Sequence, residues 1–192
     1  MPSSQATTDE NQPLYAEFAS NRADLALSEE KLRRYQPEAF GLKGLLWSIR
    51  KRVRFKWLLG ECLKYGDARA AIVVSMRPLV VAAYSDEFDA ALALRFPDVL
   101  AEHFSLTTGQ HLISVNAYGP TPAPDIIRGP NARTAWGNFF PTIAEFFSDD
   151  LNRIEHLHST IVEDEWNRCA ELCARTPPAR NGLPLYADAS TV

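Results

Sequence analysis

Lys43, Arg50, Lys51, Arg52, Arg54 and Lys56 fall in one short run that holds no acid, with Trp47, Phe55 and Trp57 set among them. Guanidinium and ammonium groups contact phosphates and aromatic rings offer stacking faces, so Lys43, Arg50, Lys51, Arg52, Arg54, Lys56 and Trp57 form a candidate contact set for nucleic acid. An anionic membrane surface is the other candidate ligand, since basic amphipathic helices lie on such surfaces. The competing reading is internal. The acidic C-terminal half carries Glu145, Asp149, Asp150, Glu155, Glu163, Asp164, Glu165 and Glu171 against Arg153 and Arg168, and a basic helix packs well beside it. Charge runs are usually solvated faces, so a basic helix that is packed internally or merely solvated is the expectation.

Other reactive side chains form no set with a chemical spacing. His156 and His158 lie two apart on a predicted helix and point in different directions. Cys169 and Cys173, at i and i+4, face the same way but lack the second ligand pair that structural zinc needs. Ser75 and Ser85 sit at predicted strand ends, and Ser85-Asp86-Glu87 reads as turn chemistry, in which short polar side chains bond their own backbone. Adjacent acids such as Asp149 and Asp150 sit about 100° apart on a helix and make no glycosidase pair. The sequence therefore predicts no catalytic, metal or cofactor residues, and leans away from an enzyme; a hydrolase of unknown substrate ranks third among the readings.

Composition bounds the rest. The chain has 192 residues, a net charge of −4, 46% hydrophobic and 23% charged residues, which suits one soluble domain with a sizeable core. An acidic balance argues against a surface that coats nucleic acid throughout. Three cysteines, Cys62, Cys169 and Cys173, have no disulfide framework and read as free thiols of a reducing compartment. Met1 to Asn11 has neither a basic nor an apolar stretch of the kind that marks a secretory signal, and charges interrupt every long apolar segment, so the expected location is cytoplasmic.

The elements that position these residues follow from periodicity. Residues 1–12 read as disordered, and a single α+β domain is expected over 13–186, followed by a C-terminal end at 187–192. Within it, 13–65 is helical. A short helix is expected from Pro13 to Asn21, and Ser28, Glu29 and Glu30 open another that ends near Gln36. Leu42, Leu46, Ile49, Val53 and Trp57 recur at threes and fours, which favours a long basic helix; Val53, Phe55 and Trp57 also alternate with Arg52, Arg54 and Lys56 as in a strand. The segment 66–147 is the sheet. Ala70–Met76, Leu79–Tyr84, Asp89–Phe96, His111–Tyr118 and Phe139–Phe147 are its strands, and the short turns at Arg77-Pro78 and Ser85–Glu87 make the first ones antiparallel. The expected fold is thus a five-stranded, mostly antiparallel sheet or small barrel, preceded by a long basic helix and followed by two helices in 148–174.

The first of those helices has Leu151, Ile154, Leu157, Ile161 and Val162 on its apolar side, and the second has Trp166, Cys169, Leu172 and Cys173. An extended tail at 175–186 is anchored by Leu183, Leu185 and Tyr186. The segment from Gly119 to Arg133, with Pro120, Pro122, Pro124 and Pro130, is a loop of functional length. Just after it, Trp136, Phe139 and Phe140 are candidates for a partner or self-association interface, for which aromatics are enriched, against the more usual reading that such residues pack in the core.

Gly66-Asp67 leading into Ala71–Ser75, Pro78 with Val80-Val81-Ala82, Gly109 before Ile113 and Val115, Trp136 with Phe140-Pro141, and Glu163-Asp164-Glu165-Trp166 together resemble an uncharacterised bacterial family, a domain of unknown function. The resemblance covers about Gly66 to Tyr186. It implies one α+β domain with a basic N-terminal helix and brings no activity, cofactor or site residue. The functional expectation is a non-enzymatic protein-interaction module, regulatory or scaffolding, with the basic segment as a nucleic-acid or membrane binder in second place.

Overall fold

In the computed structural model, the described residues are 19–35, 49–173 and 179–182. The expected disordered start, the helix from Pro13, the positions of Lys43 and Trp47, and the anchoring residues Leu183, Leu185 and Tyr186 lie outside them.

The chain forms a mixed α+β fold around a curled six-stranded sheet. In chain order the described elements are α1 (Glu29–Tyr35), α2 (Ile49–Tyr65), β1 (Asp67–Met76), β2 (Leu79–Ser85), β3 (Ala90–Phe96), α3 (Val99–His103), β4 (His111–Gly119), β5 (Asn138–Ile143), α4 (Ala144–Phe147), α5 (Leu151–Thr160), α6 (Glu163–Cys173) and β6 (Arg180–Asn181). The strand order is β5-β4-β1-β2-β3-β6. Every pair is antiparallel except β3 with β6. Only hairpin-length turns join β1 to β2 and β2 to β3, and such turns leave no room for a crossover.

Register decides which side chains share a face. Arg69 pairs with Ser114 and Asp67 with Asn116, while Ser114 pairs with Ile143 and Tyr118 with Phe139. On the β2 side, Ala71 pairs with Ala83 and Ala83 with Leu92. This face is apolar except for the Asp67, Arg69, Ser114, Asn116 and Ser85 positions at one end. Phe88 fills that end, stacked on Tyr118 with centroids 6.2 Å apart and tilted on Phe139 at 5.4 Å. Phe146 fills the other, against Phe96 and Phe104. The opposite face is covered by α2, whose Cys62 thiol bonds the Val115 carbonyl, and by α6, whose Cys169 thiol bonds the Ala82 carbonyl. Both faces of β1 and β2 are therefore buried, as their unbroken apolar runs imply.

Local chemistry sets the helix starts. Ser28 Oγ accepts from the Lys31 amide at 3.2 Å and Asp150 from the Arg153 amide at 3.0 Å, each satisfying an orphan donor of the first turn. Gly66 ends α2 in a position where a Cβ would run into the Cys62 carbonyl and Val115, so only glycine lets the helix turn this tightly into the sheet.

Several expectations need correcting. The sheet has a sixth strand, because Arg180 and Asn181 pair with Leu94 and Arg95; two residues carry no readable strand period. The fifth strand stops at Ile143 rather than Phe147. Phe146 and Phe147 are both fully buried, which consecutive strand residues on a one-sided edge cannot be, and the helical turn α4 brings both inward. On α5 and just beyond it, Leu151 and Val162 are exposed, and Ile154, Leu157 and the C-cap residue Ile161 make the buried contact. Residues 50–57 are helical.

Candidate functional site

Among the described residues, Arg69 is the centre of the largest cluster of charged side chains. It rises from β1 at the polar end of the sheet, 10% exposed, with Asp67 Oδ2 2.7 Å from its Nε, Asp86 Oδ1 2.9 Å from the same atom, and Glu165 Oε2 3.4 Å from Nη1. The single N–H of Nε is directed at Asp67. Asp86 Oδ1 consequently receives charge attraction and no hydrogen bond. Ser20 takes another guanidinium N–H, and Arg133 reaches the second oxygen of Asp86 at 2.9 Å.

Glu165 closes the sheet as well as the charge cluster. The β1–β2 ladder begins at Ala71, so the Ala70 amide has no strand partner, and Glu165 accepts it at 2.7 Å. Glu145 does the same for the Ile113 amide at the end of β5. Burial holds the carboxyls of Asp67 and Glu165 above the ordinary range, with Arg69 pulling both the other way. For Arg69 itself burial disfavours the charge, and the surrounding carboxylates more than reverse this, raising its pKa. Tyr118 Oη lies 3.3 Å from Ser85 Oγ and 3.5 Å from Asp67, and burial first, then Asp67, pushes its hydroxyl upward. Asn116 completes the network, accepting from Ser114 and donating to the Tyr84 carbonyl. Every member is engaged with another, Asp86 Oδ1 alone through charge without a hydrogen bond, and a low-dielectric network connected in this way rigidifies the end of a sheet.

The proline-rich loop is clamped onto the same end. Asp89 adopts φ +46°, a conformation that Asp tolerates better than most residues. Its carboxylate takes two bonds from Arg168 at 2.8 Å and one from the Asn131 amide at 3.2 Å. The Gly129 amide bonds the Phe88 and Asp89 carbonyls, and the Arg133 amide bonds Glu87. Arg128 lies over the Phe88 ring, 4.8 Å from its centroid, and donates to the Thr134 and Trp136 carbonyls. Hydrogen bonds from Arg168 hold the Asp89 carboxyl below its usual range.

The sequence-predicted residues are scattered rather than gathered. Trp136 is half-buried. Phe139 is fully buried and touches Phe88, so it belongs to the core and not to an interface. Phe140, on the other face, is 45% exposed and leans over Gly119. Among the ion pairs of the described residues, Lys56 joins Glu29 of α1, while Glu165 and Glu171 are held by Arg69 and Arg168. Its core contact is made by Phe55, Leu59, Cys62 and Leu63. Val53 and Trp57 are 60% and 53% exposed. At 100° per residue, positions 50, 53, 54 and 57 fall on the side directly opposite the buried stripe. The expected apolar face of this helix therefore includes residues turned away from the core.

His158 is structural: its Nε2 lies 3.1 Å from Glu145, and its ring stacks on Trp166, which stacks on His111 from 4.2 Å. His156 is exposed. Among the described residues no group of His, Cys, Asp or Glu gathers as metal ligands, and no helix is long and apolar enough to cross a membrane. The network around Arg69 escaped sequence reasoning, although an Asp-x-Arg alternation opening an otherwise apolar strand was its visible trace.

The thiols provide a direct check of this packing. Cys62 and Cys169 are buried, and burial pushes the Cys62 thiol up to about 11 and that of Cys169 upward too. Cys173 is half-buried. Thiolate is the reactive form, so a disulfide reagent at neutral pH is expected to label Cys173 in the folded protein and the other two only on unfolding. Fast labelling of Cys62 without denaturant would contradict the placement of α2.

No family model, no curated protein and no solved structure matches this chain.

Proposed function

We propose that the protein is a non-enzymatic interaction module, regulatory or scaffolding in role, and that it docks through the outward side of α2. The observation that carries this reading is the exposure of Val53 and Trp57, one helical turn apart, on a helix whose other side is packed in the core. Large apolar groups left adjacent in water on a short helix mark recognition surfaces more often than isolated ones do. The polar groups that offered chemistry support it from the other direction: Ser85, Asp67, Glu165 and Asp89 are engaged in holding the sheet end and its loop together.

The test is a photo-crosslinking amino acid placed at position 57 in the native cell, with position 151 as control, since Leu151 is also exposed, at 69%, on a different helix. A discrete adduct at 57, to protein or to lipid, that is absent at 151, and lost when Val53 is also changed to Ser, is the expected result. Equal or absent adducts at both positions would remove the reading.

A further inference from the structure

We propose that the surface on which α2 docks is an anionic membrane, a proposal that rests on the reading of α2 as the docking element. Charge complementarity is the first argument. The N-terminal half of the helix, from Ile49, carries Arg50, Lys51, Arg52, Arg54 and Lys56, the last of them shared with Glu29 of α1, and no acid before Glu61, although the whole chain is net −4. Positive charge is thus concentrated on one element of an otherwise acidic protein. An anionic surface attracts that element and repels the remainder, which fixes the orientation of approach. Each cation held near such a surface contributes on the order of 1 kcal/mol.

The exposed side chains decide between lipid and nucleic acid. A base-stacking platform uses ring faces, and Val53 has none, yet it is the more exposed of the pair. An aliphatic and an indole side chain presented together gain by leaving water, and indole settles at the headgroup boundary. The helix is mounted for this. Its C-terminal half is fixed to the sheet by Cys62 on Val115 and Thr142, and to the N-terminal segment by the Leu63 and Lys64 carbonyls, which accept from Leu25 and Asp24. Only its basic half carries exposed large apolar groups. One pair of such groups with a cluster of cations makes a reversible, salt-sensitive contact rather than permanent insertion.

The experiment is co-sedimentation of the full chain with vesicles of phosphatidylcholine alone and of equimolar phosphatidylcholine and phosphatidylserine. The protein is expected to pellet with the anionic vesicles, to stay in solution with the neutral ones, and to be released by high salt. Arg50→Ala with Arg54→Ala is expected to weaken binding about thirtyfold, and Val53→Ser with Trp57→Ser at least about tenfold. Brominated phosphatidylserine is expected to quench part of the wild-type tryptophan emission, a part missing in Trp57→Phe; this readout needs no destabilising variant. Equal binding to both vesicle types, or anionic binding indifferent to both double variants, overturns the proposal. Binding of generic single-stranded RNA that the same variants abolish, without vesicle binding, overturns the membrane and leaves α2 as the docking element. No variant-sensitive binding together with a blank crosslink at position 57 overturns both.

Discussion

Replacing Arg69 with Ala is expected to cost about 3–5 kcal/mol of folding stability at neutral pH, the usual result of stripping a buried charge cluster of its counter-ion. The guanidinium is the shared partner of Asp67, Asp86 and Glu165, and among the described residues Asp86 alone of these has a second cation, Arg133. The pH dependence gives the mechanism away. Burial already holds the Asp67 and Glu165 carboxyls above their unfolded values, so the folded protein binds protons more readily than the unfolded chain at these positions. Their contribution is most favourable below the unfolded carboxyl range and is lost as pH rises through the folded values. Without Arg69 both shift further upward. The deficit of the variant, read from urea unfolding, is therefore expected to be largest near neutrality and to shrink as pH falls into the carboxyl range. A deficit below about 1 kcal/mol, or one that grows on acidification, would mean that the cluster does not hold this end of the sheet. Arg69→Lys keeps the charge but not the fork that serves Asp67, Glu165 and Ser20 together, and belongs between the two.

Asp89→Ala is expected to release the proline-rich loop, at a cost of about 3 kcal/mol, since Arg168 loses a bidentate partner and a residue with a Cβ is left at positive φ without a compensating bond. Trypsin reads this directly. Arg128 and Arg133 lie within the loop, the first held by carbonyls and the Phe88 ring, the second by Asp86, and cleavage after either requires the backbone to leave the β2–β3 turn. The wild type is expected to resist cutting there and the variant to be nicked rapidly. Equal rates would show that the clamp does not restrain the loop. Here the pH sign is the reverse of the Arg69 cluster. Arg168 lowers the Asp89 pKa, so the stabilisation is present above the unfolded carboxylate value, roughly 4, and is lost as pH falls through the folded value. Falling pH therefore relieves the buried cluster first and relaxes the loop beside it only below roughly 4.

Reading residues by period found the elements whose signal is local. The first four strands, the Ser28 cap and the inward set Trp166, Cys169 and Leu172 follow from side-chain spacing or capping chemistry, whereas 50–57 carries both a helical and a strand period and only the fold shows it helical. What escaped was set by tertiary context. Phe146 and Phe147 continue a strand pattern, but the core needs both on one side. Val53 and Trp57 share a helical period with one another, and spacing alone does not say that Phe55 and Leu59, on the other stripe, win the sheet. Phe139 and Phe140 are chemically alike, and only the pairing of Tyr118 with Phe139 settles which is buried. The Asp67–Arg69–Glu165 cluster joins positions nearly a hundred residues apart, and nothing in either segment by itself announces the other.

Arg180 has a consequence in time as well as in space. It sits on β6 beside the β3 edge, and its guanidinium crosses to Asp125 in the loop and Asn138 on β5, so one residue ties the two margins of the curled sheet. It is also synthesised after every other described element. A growing chain can pair β1 through β5 and still present an unfinished margin until this segment leaves the ribosome. Unpaired margins are where nascent sheets associate wrongly. Closure of this sheet therefore waits on the last of its described strands, and the β3 margin stays unpaired from its own synthesis until Arg180 arrives.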